Sequence, residues 1–445
     1  MLRPHAALHH LATPSLLALV TLATWAPVAL AGGFMVSKIG GDTAGVTEAS
    51  PSSLFWNPAA LGRVRGTTLY LDNNVIWRLH HYERDLVGEA AGGGREPRQT
   101  HAHFDPQPML ALTSDLGSER LTLGVGGYVP FGSTSVNASD GPERWHSIWG
   151  GIIGGFLSAS LTYALTDELW VGASGSYVLA SVRSYRAVDF APFVEERAGT
   201  RIAPEQVEHE GRAYLDFSGS GAAASLGVLW APGPFSLGAS WTSAVRLRLN
   251  GSFEIYLPRS SFYQEVIGDD IRSPATFRAT WPQALRVGGS WQASARWSYR
   301  LSGEWVQWSQ YDRITIRARQ SDSTLGDVDQ VLVTGWQDTW GVRAGTRARI
   351  SESWQAFGGA GWESSAIPPR ELGPDNFDAH KFGLAGGVIV DLSERLRLTT
   401  GYTHVLYLPV EVRTSNRAPS AAGSHRQSAG LLNTNLTLRF GPGTP

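Results

Sequence analysis

The chain of 445 residues contains no cysteine, which excludes disulfide bonds and thiolate metal sites. Charge is also scarce. Charged residues make up 17% of the chain and the formal net charge is −2, so there is no electrostatic basis for binding nucleic acid. No run of eighteen apolar residues occurs after the first thirty positions, which excludes a polytopic helical membrane protein.

Enzyme motifs are missing as well. The sequence has no G-x-S-x-G elbow, no H-E-x-x-H and no Walker loop, so it offers no catalytic residues and no cofactor site. An outer-membrane phospholipase needs only a loosely spaced Ser and His, so an enzyme stays a distant alternative. Four histidines, His80, His81, His101 and His103, match no standard metal spacing. We expect no metal there and place them in a solvated external loop.

The amino terminus has the pattern of an export signal. Arg3 lies in a short n-region, residues 11–30 form an apolar h-region, and Ala29-Leu30-Ala31 fits the small-x-small cleavage rule. Residues 1–31 are therefore predicted to be a signal peptide. A membrane anchor is the weaker interpretation, because Pro14 and Pro27 interrupt the run.

The rest of the chain alternates between apolar and polar residues with period two. In 235–250, one face carries Phe235, Leu237 and Trp241, and the other carries serines, glycines and arginines. A strand of this length exceeds the usual 5–6 residues of a soluble sheet. Lipid on one face and a wet lumen on the other explain it more simply than a soluble sandwich does.

The connections between predicted strands alternate strictly between short turns and long polar loops, as they do in outer-membrane barrels. An all-β fold follows: a transmembrane antiparallel barrel of about fourteen strands, with twelve or sixteen left open. The predicted strands are 66–79, 107–116, 119–130, 155–166, 168–186, 211–230, 234–255, 278–294, 297–318, 337–350, 353–366, 379–392, 395–413 and 425–440. The barrel then covers 66–440, with a tail at 441–445.

Residues 33–63 fit neither pattern. They lie between the signal and the first strand, are rich in Gly and small residues, and end in Leu54-Phe55-Trp56-Asn57-Pro58-Ala59. A glycine-rich segment with an aromatic cluster is suited to a compact plug inside something larger. Asn57-Pro58 is also consistent with a simple turn.

The order of these features resembles the FadL/TodX family of outer-membrane transporters for hydrophobic compounds. The resemblance rests on Gly32-Gly33-Phe34 after the signal, on residues 55–61 (FWNPAAL), and on residues 126–132 (GGYVPFG). Residues 305–309 (WVQWS), 336–345 (WQDTWGVRAG) and 364–369 (SSAIPP) add to it. It covers essentially the whole mature chain.

The resemblance implies a fourteen-stranded barrel closed by an N-terminal hatch, here residues 32–65, with Asn57, Pro58 and Ala59 as its signature. It places Gly33 and Phe34 next to the ligand. It also implies a lateral gap beside an inward kink of the third strand, for which Gly126 and Gly127 are candidates, since adjacent glycines often mark bulges. A packed aromatic at Phe34 and simple lumenal glycines at 126–127 are the plainer alternatives.

A fatty-acid carboxylate would need a cationic partner, and nine arginines are predicted to face the lumen. No motif selects one of them: Arg246, Arg248, Arg286, Arg300, Arg343, Arg347, Arg349, Arg395 and Arg397. Residues 143–149 and 260–267 are amphipathic loop segments suited to capping the barrel mouth and offering ligand an apolar landing surface.

The sequence thus predicts passive uptake of hydrophobic small molecules, such as long-chain fatty acids or aromatic hydrocarbons, at the cell outer membrane of a Gram-negative bacterium. The expected partners are the substrate, outer-membrane lipid and the barrel-assembly machinery. We expect a monomer that binds no nucleic acid. The alternatives are a non-specific porin and a structural or interaction barrel that transports nothing.

Overall fold

The computed structural model describes residues 38–87, 94–198, 201–266, 269–318 and 328–440. The predicted signal peptide and C-terminal tail, and Gly33 and Phe34, lie outside these residues. The described chain forms one closed antiparallel sheet in which each strand pairs with its neighbours and the first strand pairs with the last, Thr67 opposite Phe440.

This sheet is a barrel of fourteen strands, which confirms the predicted fold class. The strands are β1 (Thr67–Arg84), β2 (Gln99–Ser114), β3 (Leu121–Val136), β4 (Trp149–Ala164), β5 (Leu169–Asp189), β6 (Glu210–Trp230), β7 (Phe235–Thr242 and Val245–Tyr256), β8 (Ile271–Trp281 and Ala284–Gln292), β9 (Trp297–Val306 and Arg313–Ala318), β10 (Val328–Val333 and Thr339–Arg349), β11 (Trp354–Glu363), β12 (Lys381–Asp391), β13 (Leu396–Tyr407 and Val410–Val412) and β14 (Gly423–Phe440).

The helices of the described residues are all short. Three of these are α-helical: α1 (Ser53–Trp56) before the barrel, and α2 (Ala191–Ala198) and α3 (Ser261–Val266) in the loops after β5 and β7. The 3₁₀ turns are Gly41–Thr43, Pro58–Arg63, Pro142–Trp145, Val207–His209, Trp308–Tyr311 and Pro369–Glu371. In the described part of the chain, no helix is long and apolar enough to cross a membrane.

The two faces of the barrel differ as the alternation requires. Along β1, Leu71 and Trp77 are exposed on the outside, while Asp72 and Asn74 are buried on the inside. Exposed aromatics gather near the short turns, where Phe235 and Trp291 stack with ring centroids 6.1 Å apart. A second set, including the stacked pair Trp77 and Tyr402, lies about ten residues further along the strands. Two aromatic girdles around an apolar band are typical of a barrel in an outer membrane.

Several strands run further towards the long loops than predicted. β1 continues to Arg84 and β2 begins at Gln99, so the four histidines lie in paired strands. The prediction of a solvated loop was wrong for His80 and His101, which are buried. Polar residues on the lumenal face of a strand that outruns the membrane cannot be told from loop residues by composition.

The loop between β11 and β12 folds back into the barrel mouth. Ile367, Leu372 and Phe377 are all buried. Asp378 accepts hydrogen bonds from the Ala366 amide at 2.7 Å and from the Lys381 ammonium at 3.0 Å. A buried carboxylate between two donors fixes this loop at its base.

Candidate functional site

The described part of the predicted hatch, residues 38–65, fills the lumen near the short-turn end of the barrel. Leu54, Trp56 and Leu61 are almost completely buried. The Trp56 indole N–H donates to the Ile39 carbonyl at 2.8 Å, which ties the aromatic cluster to the start of the segment. Gly40 has φ 76°, a left-handed conformation that glycine adopts readily. Its N–H donates to Asp72 of β1 at 2.8 Å.

The Asn57 side chain makes hydrogen bonds both within the hatch and to the barrel wall. Its side-chain amide donates to the Val46 carbonyl at 2.7 Å and to the Val228 carbonyl of β6 at 3.0 Å. Its side-chain oxygen accepts from the Ala59 amide at 3.1 Å and so caps the 3₁₀ turn that Pro58 begins. Asn is therefore more than a turn initiator at this position, because its amide pairs two carbonyls from different parts of the fold.

Pro58 and Ala59 lie directly against the wall. The Thr162 hydroxyl of β4 donates to the Pro58 carbonyl at 2.6 Å. A Cβ atom placed on Gly172 of β5 would lie 2.5 Å from both the Ala59 nitrogen and the Pro58 carbonyl carbon. A glycine is thus required in the wall where the hatch backbone approaches it. The Asn57–Ala59 motif is a fixed docking point.

The earlier part of the hatch is held by charge. Lys38 pairs with Asp42 at 2.8 Å, and Arg347 of β10 pairs with Glu48 at 3.0 Å. Burial alone would raise the pKa of the Asp42 carboxyl, but Lys38 and the Thr403 hydroxyl outweigh it and lower that pKa to about 2. Burial likewise opposes ionisation of Glu48, and Arg347 lowers its pKa. Both hatch carboxylates are therefore ionised at neutral pH.

A narrow cavity of about 20 Å³ lies between the hatch and the wall. Its lining is largely apolar and aromatic, with one cation at its edge. It comprises Phe55, Tyr128, Pro130, Phe131, Phe156, Ser176, Ser225, Thr242, Ser243, Val245, Pro282, Ala284 and Arg286. The chemistry of this lining suits an apolar small molecule, and the cavity would have to widen to admit one.

Arg286 is the one predicted lumenal arginine that lines this cavity. It is 2% exposed, and its Nε donates to Glu304 of β9 at 2.6 Å. Its guanidinium also lies 4.5 Å from the centre of the Phe55 ring, a cation–π contact that fixes both groups. Glu304 neutralises the charge of Arg286. Arg286 thus links the Phe55 ring of the hatch to Glu304 in the barrel wall.

Replacing Arg286 with Met should lower the free energy of unfolding by about 3 kcal/mol, because Glu304 would lose its nearest cation in a buried site. The measurement is urea unfolding of the folded barrel in detergent. The double variant Arg286→Met/Glu304→Gln should recover most of the loss. A single variant as stable as the parent would show that this pair does not stabilise the barrel.

The third strand is irregular next to the cavity. Pairing between β3 and β4 shifts between Tyr128 and Phe131, so that Val129 and Pro130 face the single residue Gly155. This is the geometry of a β-bulge. Gly126 and Gly127 stay in register with both neighbouring strands, so the irregularity begins two residues after the predicted pair.

The bulge coincides with the point where pairing between two strands stops. β2 and β3 pair only from Ser114–Leu123 to Met109–Tyr128. Beyond that point, residues 99–108 of β2 have no partner on β3. Pro130 has no N–H to donate to a neighbouring strand, which favours the separation at this point.

Aromatic side chains cross the lumen above the cavity. Four neighbouring strands, β7 to β10, are interrupted, and the interruption of β9 holds the 3₁₀ turn Trp308–Tyr311. Trp308 is buried, with its ring centre 5.2 Å from that of Trp336. Phe131 of the bulge lies 4.7 Å from Trp281. At these interruptions, aromatic side chains of the wall point into the lumen, where they contact Phe131 of the bulge. The sequence analysis did not predict this arrangement.

Comparison with known proteins places this geometry in context. Residues 20–440 match the family described as outer membrane protein transport protein (OMPP1/FadL/TodX). A putative outer membrane protein of Neisseria meningitidis serogroup B is 21% identical over 87% of this chain and 87% of its own length.

Solved structures agree in fold. A Pseudomonas aeruginosa FadL homologue has a TM-score of 0.78 at 16% identity, covering 93% of this chain and 99% of its own. The Ralstonia pickettii toluene transporter TbuX has a TM-score of 0.65 at 17% identity, covering 92% and 98%.

Proposed function

The chain belongs to the OMPP1/FadL/TodX family of outer-membrane transport proteins, and on that premise we propose that it takes up hydrophobic small molecules passively through a lateral route. The protein lies in the outer membrane. The observation that carries the proposal is the apolar cavity between the hatch and the β3 bulge, next to the point where pairing between β2 and β3 stops.

Ligand would first meet the loops at the barrel mouth. Leu257 and Phe262 are partly exposed apolar side chains there, packed on a buried cluster of Phe190, Val194 and Tyr263. Moving a ligand from water to such a surface is favourable by about 0.8 kcal/mol for each buried CH₂ group. No energy source other than the concentration gradient is then required.

The ligand would pass to the cavity and leave between β2 and β3 into the bilayer. Displacement of the first part of the hatch, 38–52, would open this path. An ion pair with Arg347 and hydrogen bonds to Asp72 and from Thr403 hold this part to the wall, and Asn57 and Pro58 anchor the part that follows. Gly33 and Phe34 precede this part, which is consistent with their proposed place near the ligand. In this proposal Gly126 and Gly127 contribute to the lateral opening because they lie just before the bulge in β3.

The substrate class follows the family. TbuX is named a toluene transporter, and the apolar cavity lining fits an aromatic hydrocarbon or an alkyl chain. We propose that the protein works as a monomer without a cofactor and is inserted by the barrel-assembly machinery. Its remaining partners are the substrate and the surrounding lipid.

The porin alternative predicts a different permeability. Proteoliposomes with the full mature chain should take up a labelled alkylbenzene or fatty acid faster than empty liposomes. They should swell negligibly in arabinose, because the hatch fills the lumen. Rapid swelling with no selective uptake would establish a porin, and neither effect would leave a structural barrel.

A further inference from the structure

The mouth of the barrel holds a second group of buried side chains, separate from the inner cavity. They come from β1, β14 and the loop after β11. Four of the rings stack nearly parallel. The Tyr82 and His425 ring centres are 4.4 Å apart at 25°, and Phe377 lies 5.0 Å from His80 at 27° and 5.6 Å from His425 at 15°. Rings at these spacings are in direct contact, so a flat ligand ring would enter by taking the place of one of them.

Polar atoms in this stack have no partner. The Tyr82 hydroxyl and the Gln427 side-chain nitrogen are buried and make no hydrogen bond among the described residues. The residues themselves are 0% and 7% exposed. A buried donor without a partner costs free energy, and most such groups in native proteins are paired. The cost is offset when a bound molecule supplies the missing acceptor.

Register places these two groups on one face of the strand pair. On β1 and β14, His80 faces Gln427 and Tyr82 faces His425. Tyr82 and Gln427 therefore lie diagonally across the strand pair, two rungs apart on the same face. Each carries a donor that an oxygen on the edge of an aromatic ring could accept from.

Phe377 occupies the open side of the stack. It is 3% exposed and comes from the loop between β11 and β12, not from the barrel wall. Its ring completes the stack without offering a hydrogen bond to Tyr82 or Gln427. Phe377 therefore makes the ring contacts that an aromatic ligand with an oxygen substituent would make, but not the hydrogen bonds.

We propose that this stack of His80, Tyr82, His425 and Gln427 is an outer binding site for planar aromatic compounds that carry a hydroxyl or carbonyl group, with Phe377 holding the place of the ligand ring. The proposal rests on the proposed function for the ligand's onward route. It adds a preference at the mouth: a phenol is captured there more strongly than the corresponding hydrocarbon.

The test compares 4-ethylphenol with ethylbenzene, which differ by one hydroxyl. Binding of each to the full mature chain in detergent is measured by equilibrium dialysis, with empty micelles as the blank. Tyr82→Phe should weaken 4-ethylphenol binding by about fivefold to tenfold, as expected for one lost hydrogen bond, and leave ethylbenzene binding unchanged. Phe377→Ala should tighten 4-ethylphenol binding because it removes the competing ring.

The matched control is Tyr214→Phe. Tyr214 is a half-buried tyrosine of β6, and its hydroxyl already donates to Asp216 at 3.0 Å outside this site. An unchanged phenol-to-ethylbenzene binding ratio in Tyr82→Phe would overturn the outer site. Loss of ethylbenzene uptake by the parent chain would instead overturn the proposed function.

Discussion

Deletion of Pro130 is expected to lower the uptake of a labelled alkylbenzene into proteoliposomes by about tenfold or more, equivalent to roughly 1.4 kcal/mol or more in the barrier. Val129 and Pro130 together face Gly155, and Phe131 resumes the pairing opposite Gly154. Removing one residue lets Val129 pair with Gly155 while Tyr128 and Phe131 keep their partners. A regular β3 would then pair further with β2 and close the proposed exit.

The matched control for this deletion is Pro130→Ala. It keeps the number of residues in the bulge and changes only the ring and the missing N–H. Its uptake should stay within about threefold of the parent value. Equal uptake by the deletion and the parent, at equal amounts of folded barrel, would show that ligand does not leave between β2 and β3.

The sequence predicted the barrel well because a membrane imposes two strong patterns. Lipid on one side demands strict alternation along every strand, and the two ends demand turns and loops of different length. Residues 235–242 show the first pattern, and the count of fourteen strands followed from the second. The break after Thr242 inverts the faces: Val245, Leu247 and Leu249 are buried inside, whereas Arg246 and Arg248 are exposed, so the prediction that these two arginines face the lumen was wrong. The strand ends near His80 and His101 were harder, because beyond the membrane neither face needs to be apolar.

The contacts of the candidate site were less predictable because they depend on the register between strands and on interruptions within the strands. Residues 305–311 (WVQWSQY) lie inside a range predicted as one strand, whereas Trp308–Tyr311 forms a 3₁₀ turn that carries its aromatics into the lumen. Arg286 was one of nine equivalent candidates. Only the pairing of β8 with β9 places it opposite Glu304. Its contact with Phe55 depends on how the hatch is seated, which periodicity does not encode.

The hatch docking motif gives the second large effect, because Asn57→Asp is expected to release the hatch from the wall. The change keeps the shape of the side chain but removes the N–H groups that donate to the Val46 and Val228 carbonyls. Two buried carbonyls then lose their partner, at a cost of roughly 1–3 kcal/mol each. A new carboxylate oxygen also lies against them, which adds repulsion. We expect alkylbenzene uptake to fall by about tenfold or more, and arabinose swelling to rise.

Asn137→Asp provides the control for this variant. Asn137 lies in the loop after β3 and also donates to a backbone carbonyl, that of Ser147 at 2.8 Å, but not to the hatch. It should leave both permeabilities unchanged. If Asn57→Asp also leaves them unchanged, in barrels that assemble to the same level, the motif does not hold the hatch in its working position. A rise in swelling with normal alkylbenzene uptake would separate the two roles of the hatch: it would then seal the lumen without guiding the ligand.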